Sequence, residues 1–384
     1  MSRGDVLAVG PLTALGVAAS ALFLAAFAIH VWLLPIAPGF DDFEHLQAAM
    51  AWQQEGRLQS DGVFVRVPLW PVLLGTPAHL LRPGTAVAFV QIACVLATLA
   101  LALAFARRAS AERALPLAAV AAPILLFASS PQVVLYARHA VNELWIGALA
   151  AGVLFLAAAP ARGGPLALGL ASGAAAMTKL SMGLLAVPAA AFAWRGGPHR
   201  RAARLAQLAL GAALVAVPLV ALHATQRPGL PLDNTSAFTL SEYTPQEWIA
   251  LGDPLERREA GMASFRAALT RDPLGYASAV AKRLTRWITR PATTDFALFM
   301  PKFPARAFGL WEHAVLGILV VLAVLGTTAR TAPIWIFLAA LPILCAFPAH
   351  VPFTPKIIPV FPCLLLAPLG LSRALGLGKG EGDE

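Results

Sequence analysis

Apolar runs of about 15–29 residues recur along this 384-residue chain between polar stretches and are read as membrane spans, a full crossing needing about 20. The first covers 6–34. Others cover 85–105, 115–129, 141–159, 205–225, 310–325, 332–347 and 357–371. The run 166–194 is too long for one span and too short for two full ones, and Thr178-Lys179 interrupts it near the middle. That pattern predicts two short helices forming a hairpin with Lys179 at its tip. Small residues near 25–28 leave a cleaved leader as the alternative for the first run, but the run exceeds the roughly 7–15 residues of a signal core and is read as a retained span.

The stretches between the runs have patterns of their own. Residues 41–55 read as a short helix ending at Gly56, with Phe43, Leu46 and Met50 on one face and Asp41 and His45 on another. Such a helix lies on a membrane rather than crossing it. A second short element, 68–81, is broken by Pro71, Gly75 and Pro77. The long polar region 226–307 holds two helix starts, Asp253-Pro254 and Asp272-Pro273, each an N-cap before a proline in the first helical position. In the first of these helices Leu255, Met262, Phe265 and Leu269 share a stripe. In the second Lys282, Arg286 and Arg290 recur every four residues, a basic face suited to anionic headgroups.

The fold expected is therefore all-α and polytopic, with about ten transmembrane helices and outward-facing amphipathic juxtamembrane helices. Residues 1–384 form one integral-membrane domain, including a first outward loop at 35–84 and a long one at 226–307. Composition agrees: 58% of residues are hydrophobic, 13% are charged and the mean hydropathy is +0.71, against about 25% charged residues in soluble domains. Cys94, Cys345 and Cys363 all lie in apolar runs and form no disulfide or zinc pattern. No nucleic-acid-binding motif accompanies the net charge of +9.

Counting ten spans from an inside N-terminus puts Arg107, Arg108, Arg113, Arg162, the 195–204 arginines, Arg330 and Arg373 on one side, as cytoplasmic short loops require. The other side receives 41–82, 132–143, the tip at Lys179, the 226–307 region and the turn 350–356. Nearly every candidate functional group faces that way. Two adjacent acids, Asp41 and Asp42, stand where the chain leaves the first span, with His45 one turn later and Arg66 just before Pro68-Leu69-Trp70-Pro71. Charge beside lipid is costly unless used or paired, so 40–71 reads as an active-site loop at a membrane surface.

The order of these features resembles the GT-C class of membrane glycosyltransferases, above all the protein O-mannosyltransferases and the lipid A aminoarabinose transferases. The resemblance rests on Asp41-Asp42 opening an amphipathic helix, on Arg66-Val67-Pro68-Leu69-Trp70, and on Glu143 opening a later span. It continues with Gly169-Leu170-Ala171-Ser172-Gly173 leading to Lys179, and with Lys356-Ile357-Ile358-Pro359-Val360-Phe361-Pro362 near the C-terminus. His45 stands where that class often has tyrosine, Lys356 where it often has arginine, and Val65 where aminoarabinose transferases place a glutamate. A large soluble C-terminal domain has no counterpart.

The resemblance implies inverting sugar transfer from a polyprenyl-phosphate donor, with no further cofactor, to a lipid, glycan or protein acceptor; the departure at Val65 and the lack of an outward ligand cluster lead to the expectation of no metal. A carboxylate must take the proton of the attacking hydroxyl, and cations must stabilise the leaving phosphate. Asp41 or Asp42 is the implied base, unless one of them only caps its helix. Arg66 is the implied phosphate ligand, unless it only snorkels. Lys179 and Lys356 are weaker phosphate ligands of the same kind. Glu143, His45 and Arg138 are implied substrate contacts, with a Glu143–Arg138 salt bridge as the alternative for that pair. The resemblance also implies a bacterial inner-membrane protein with both termini cytoplasmic and a periplasmic active face. A transporter or flippase of a lipid-linked substrate is the competing class, kept open by the broken hairpin at Lys179. A ligase or polymerase of lipid-linked glycans is the other.

Overall fold

The computed structural model describes residues 40–59, 64–112, 115, 117–158, 164–195, 198–292, 305–348 and 354–375. The predicted first span, 6–34, lies outside them. Among the described residues every regular element is helical. The helices are α1 (Phe40–Glu55), α2 (Leu69–Ala78), α3 (Pro83–Glu112), α4 (Leu117–Ala128), α5 (Pro131–Tyr136), α6 (Glu143–Ala158), α7 (Gly164–Thr178), α8 (Ala186–Trp194) and α9 (Pro198–Gln226). They continue with α10 (Thr235–Leu240), α11 (Pro245–Ala250), α12 (Pro254–Arg271), α13 (Pro273–Thr289), α14 (Ala305–Gly326), α15 (Ile334–Ala346) and α16 (Val360–Ala374). Short 3-10 turns, Leu180–Leu185 and Thr354–Ile357, precede α8 and α16.

Four stretches among the described residues are long and apolar enough to cross a bilayer: Gly84–Ala109, His199–Gln226, Arg306–Gly326 and Pro355–Ala374. Six shorter apolar helices accompany them. The chain is a multi-pass membrane protein. In apolar solvent a backbone must satisfy its own hydrogen bonds, which is why the apolar runs among the described residues are helices.

Burial sorts these helices into centre and rim. The last, α16, is enclosed along almost its whole length, with Val360, Phe361, Leu364 and Leu365 inaccessible. It packs against α14, α6, α4 and α3. By contrast α9 turns Leu210, Leu214, Val217 and Val220 outward, Val217 being 63% exposed. Apolar side chains so exposed on a span suit a lipid surrounding, since lipid is as apolar as leucine.

Close helix approach uses glycine, because without a hydrophobic drive between spans the association comes from packing. On α7, a Cβ at Gly169 would meet the Leu208 carbonyl, and one at Gly173 the backbone of Ala212. Reciprocally, a Cβ at Gly211 of α9 would meet the Leu166 carbonyl. The small-residue stretch 169–173 thus has a packing role against α9. Gly326 and Gly370 do the same where α14 crosses α16.

The predicted hairpin is present. Helix α7 stops at Thr178, Lys179 is extended (φ −156°, ψ 116°), and the chain resumes as the 3-10 turn and α8. The two capped starts are also as read. Asp253 accepts from the amides of Leu255 (2.8 Å) and Glu256 (2.9 Å), and Asp272 from that of Gly275 (2.8 Å). Helix α1 ends at Gly56 in the left-handed region, φ +63°.

The glycine crossing yields a direct expectation. Gly370→Val should force α14 and α16 apart, costing on the order of 1–3 kcal/mol as overpacking does, and should lower both yield and melting temperature in detergent. Gly317→Val, on the same α14 but with open space around it, should change neither. Equal behaviour of the two variants in a thermal-stability assay would contradict this packing account.

Candidate active site

The candidate groups lie where helices start, stop or break. In α1 the side chains of Glu44, His45, Ala48 and Ala49 are buried against the protein, while Phe43 (57% exposed), Gln47 and Met50 face outward. The apolar outer face agrees with a helix lying at the membrane. Asp41 and Asp42 occupy its first turn, and their side chains lie outside the described residues.

The His45 ring meets Trp70 of α2 edge-on, with centroids 6.4 Å apart. The Trp70 indole donates to the Ala140 carbonyl at 2.7 Å. From α3, Gln91 donates to the carbonyls of His139 and Val141, each at 2.6 Å. The 137–142 loop is therefore tied to α2 and α3, and this fixes where α6 begins. Buried, irregular backbone needs such partners. Arg138 sits in that loop, and partial burial pushes its guanidinium below the ordinary arginine value.

Glu143 opens α6. Its carboxylate lies in the first turn, where the helix dipole favours negative charge. Lys179, at the break between α7 and α8, reaches it: Nζ stands 3.4 Å from Oε1. The Glu143 side chain is 6% exposed and that of Lys179 33%, so one end of this ion pair is enclosed and the other open. Beside it the Trp145 indole donates to Thr178 Oγ1 at 3.1 Å, which joins α6 to the broken end of α7.

Lys356 is fully enclosed in the 3-10 turn before α16. Its ammonium donates to the carbonyls of Ile288 (3.3 Å) and Arg290 and lies 5.2 Å from the centre of the Trp287 ring. These carbonyls end α13, and a cation there satisfies them and complements the dipole. Lys356 thus carries a helix-capping duty. The 3-10 turn that holds Lys356 also packs against α6, the helix that Glu143 opens.

Arg66 belongs to another part of the same end. Val65 N–H donates to Asn234 Oδ1 (2.8 Å), Asn234 N–H donates to the Val65 carbonyl (3.1 Å), and Arg227 donates to the Arg66 carbonyl (3.1 Å). The Arg66 guanidinium lies over Phe64, 5.5 Å from its centroid. Phe64 packs with Phe238 and Trp248. Burial pushes the Arg227 guanidinium down to about 10, so it stays protonated at neutral pH. The segment before α2 is thereby laced to the 226–248 region.

The structure brings Glu143 and Lys179 into direct contact. It links His45 through Trp70 to the loop before Glu143, and it packs the turn of Lys356 against α6. Arg66 is anchored to Asn234 and Arg227. The supporting residues Trp70, Gln91, Asn234, Arg227 and Trp287 went unpredicted in these roles. Gln91, a lone amide inside the run 85–105, was the one visible signal.

No protein-family model matches the chain, and no curated protein matches it in sequence. Among solved structures the chain is similar to ArnT from Cupriavidus metallidurans bound to undecaprenyl phosphate, with a TM-score of 0.55 and 14% identity. The match covers 92% of this chain and 60% of that one, so this chain spans about three-fifths of the length of ArnT. The fold is that of ArnT, GT-C-like as the sequence implied.

The ion pair gives a prediction. Removing one partner of a buried pair costs about 3–5 kcal/mol, and with Lys179 a third open the loss should be smaller, about 1–3 kcal/mol. Lys179→Met should lower the melting temperature in detergent, and adding Glu143→Gln should restore most of that loss. Strictly additive losses in the double variant would show that the two groups are not coupled.

Proposed function

We propose that this chain is a glycosyltransferase that moves a sugar from a polyprenyl-phosphate donor to a lipid, glycan or protein acceptor at the outer face of a membrane. The observation that carries the reading is a fold shared with ArnT over 92% of the chain, with the quoted sequence motifs occurring in the same chain. That ArnT structure holds undecaprenyl phosphate, which supports a lipid of this class as donor carrier.

In the reading, the acceptor hydroxyl attacks the anomeric carbon from the side opposite the phosphate. The carbon–acceptor-oxygen bond forms as the bond from that carbon to phosphate oxygen breaks, through an oxocarbenium-like state. The hydroxyl proton passes to the carboxylate of Asp41, with Asp42 as its neighbour, and the bonding pair leaves with polyprenyl phosphate. Arg66 takes the leaving phosphate in two-pronged fashion, with Lys179 assisting. Glu143, His45 and Arg138 contact sugar or acceptor. The 35–84 and 226–307 regions are read as the two outward loops over the site.

A monophosphate leaving group needs less neutralisation than a diphosphate, and Val65 stands beside Arg66 where relatives can place a carboxylate. The proposal is therefore for metal-independent transfer.

The test is transfer from a defined polyprenyl-phosphate sugar by purified protein. Asp41→Asn or Asp42→Asn should cost about 10²–10⁴-fold in rate, the usual contribution of a general base, with folding unchanged. Near-normal turnover in both would end the role of the pair. Arg66→Ala should weaken donor use strongly and Arg66→Lys should keep part of it, with activity surviving EDTA. Loss in EDTA restored by manganese, together with an indifferent Arg66→Ala, would show that an ion reads the phosphate. Binding and translocation of the lipid-linked sugar without transfer would favour the transporter reading.

A further inference from the structure

Helix α13 carries three distinct faces, set by the 3.6-residue turn. One face packs on the protein and includes Tyr276, Arg283 and the buried Trp287. The Tyr276 hydroxyl donates to the Phe347 carbonyl at 2.7 Å and Arg283 donates to the same oxygen at 3.2 Å. Arg283 also lies over the Tyr276 ring, 5.5 Å from its centroid. The carbonyl that follows α15 is thus capped by α13. At its other end α13 is capped by Lys356, through the carbonyls of Ile288 and Arg290. The helix is pinned across the outward ends of α15 and α16.

The second face is apolar and is left exposed among the described residues. Leu274 (84% exposed), Ala281 and Ile288 (56% exposed) recur at seven-residue spacing, with Ala277, Ser278 and Thr285 between them, all exposed. A stripe of this kind in water is unfavourable by roughly 25 cal/mol per Å² of apolar surface. The third face, next to the stripe, presents exposed Lys282 and Arg286. From Pro273 to Thr289 the helix has no acidic residue. Arg290 is half-buried rather than continuing that face.

Two observations favour a bilayer as the occupant. The helix docks on the end of α15, whose Ile336, Ile343 and Phe347 are exposed apolar residues of a span, so the lipid-facing surface continues from α15 towards α13. The charge beside the stripe is of one sign and complements anionic headgroups, which attract Lys and Arg held at a membrane surface. Apolar residues on one flank and basic residues on the other are the pattern of an interfacial helix.

We propose that α13 lies in the membrane interface, with Leu274, Ala281 and Ile288 among the acyl chains and Lys282 and Arg286 on anionic phospholipid headgroups. Anionic lipid then steadies the helix whose last carbonyls seat Lys356. The inference is independent of the transferase reading, since it concerns how this helix is held.

The test is depth measurement by spin labelling of the full chain in nanodiscs of phosphatidylcholine alone or mixed with phosphatidylglycerol. The native Cys94, Cys345 and Cys363 are buried, so a label on Ser278→Cys reports the stripe, and one on Ala263→Cys, exposed on α12, gives the comparison. In mixed nanodiscs the Ser278 label should collide with oxygen readily and with a water-soluble nickel chelate several-fold less than the Ala263 label does. In phosphatidylcholine alone it should rise towards water. Lys282→Gln/Arg286→Gln should erase the difference between the two lipids. Three results would overturn the proposal: nickel access at Ser278 equal to that at Ala263, shielding from both reagents (the signature of a protein partner), or a depth indifferent to phosphatidylglycerol.

Discussion

Charge near the bilayer must be paired, capped or turned to water, and this constraint orders the end of the molecule where Glu143, Lys179 and Lys356 lie. A lone ion in apolar surroundings costs several kcal/mol. Glu143 meets Lys179 at 3.4 Å. Lys356 meets two helix-end carbonyls and an indole. Glu312, nearly inaccessible in α14, accepts the Ala292 amide at 2.6 Å. Glu143, Lys179 and Lys356 sit at a helix start, break or end, where backbone groups without intrahelical partners are available, whereas Glu312 lies two turns inside α14 and meets the backbone of the segment after α13.

That arrangement depends on the bundle being tight. The hairpin of α7 and α8 stops short of a full crossing, so Lys179 ends at the level where α6 begins. Glycines hold α7 against α9, and Gly326 and Gly370 hold α14 against the central α16. Packing of small residues sets the heights of the breaks, and the heights decide which charges meet. The chemistry read for this end is thus a consequence of helix length and helix contact as much as of residue type.

Most of the helical framework was legible in the sequence, because a run of apolar residues in lipid has no other way to satisfy its backbone. The runs 85–105, 141–159 and 205–225 correspond to α3, α6 and α9, and Asp253 and Asp272 cap the helices their proline neighbours announced. The break at Lys179 was visible as one charge in an apolar run. What could not be read were pairings set by tertiary packing. Glu143 and Lys179 are 36 residues apart, and Val65 and Asn234 are 169 apart; no local pattern encodes either. The capping duty of Lys356 required knowing where α13 ends in space. The side chains of Asp41 and Asp42, to which the sequence assigned the chemistry, lie outside the described residues.

The central claim is that one side of the membrane collects the working groups while the basic short loops stay on the other. Cysteine accessibility in intact cells tests it most directly, using Gln54→Cys at the end of α1, Ala263→Cys on α12 and His199→Cys at the start of α9, all exposed positions. The account predicts that a membrane-impermeant maleimide labels Gln54→Cys and Ala263→Cys from outside and reaches His199→Cys only after lysis. Labelling of His199→Cys in intact cells, with the other two protected, would contradict it.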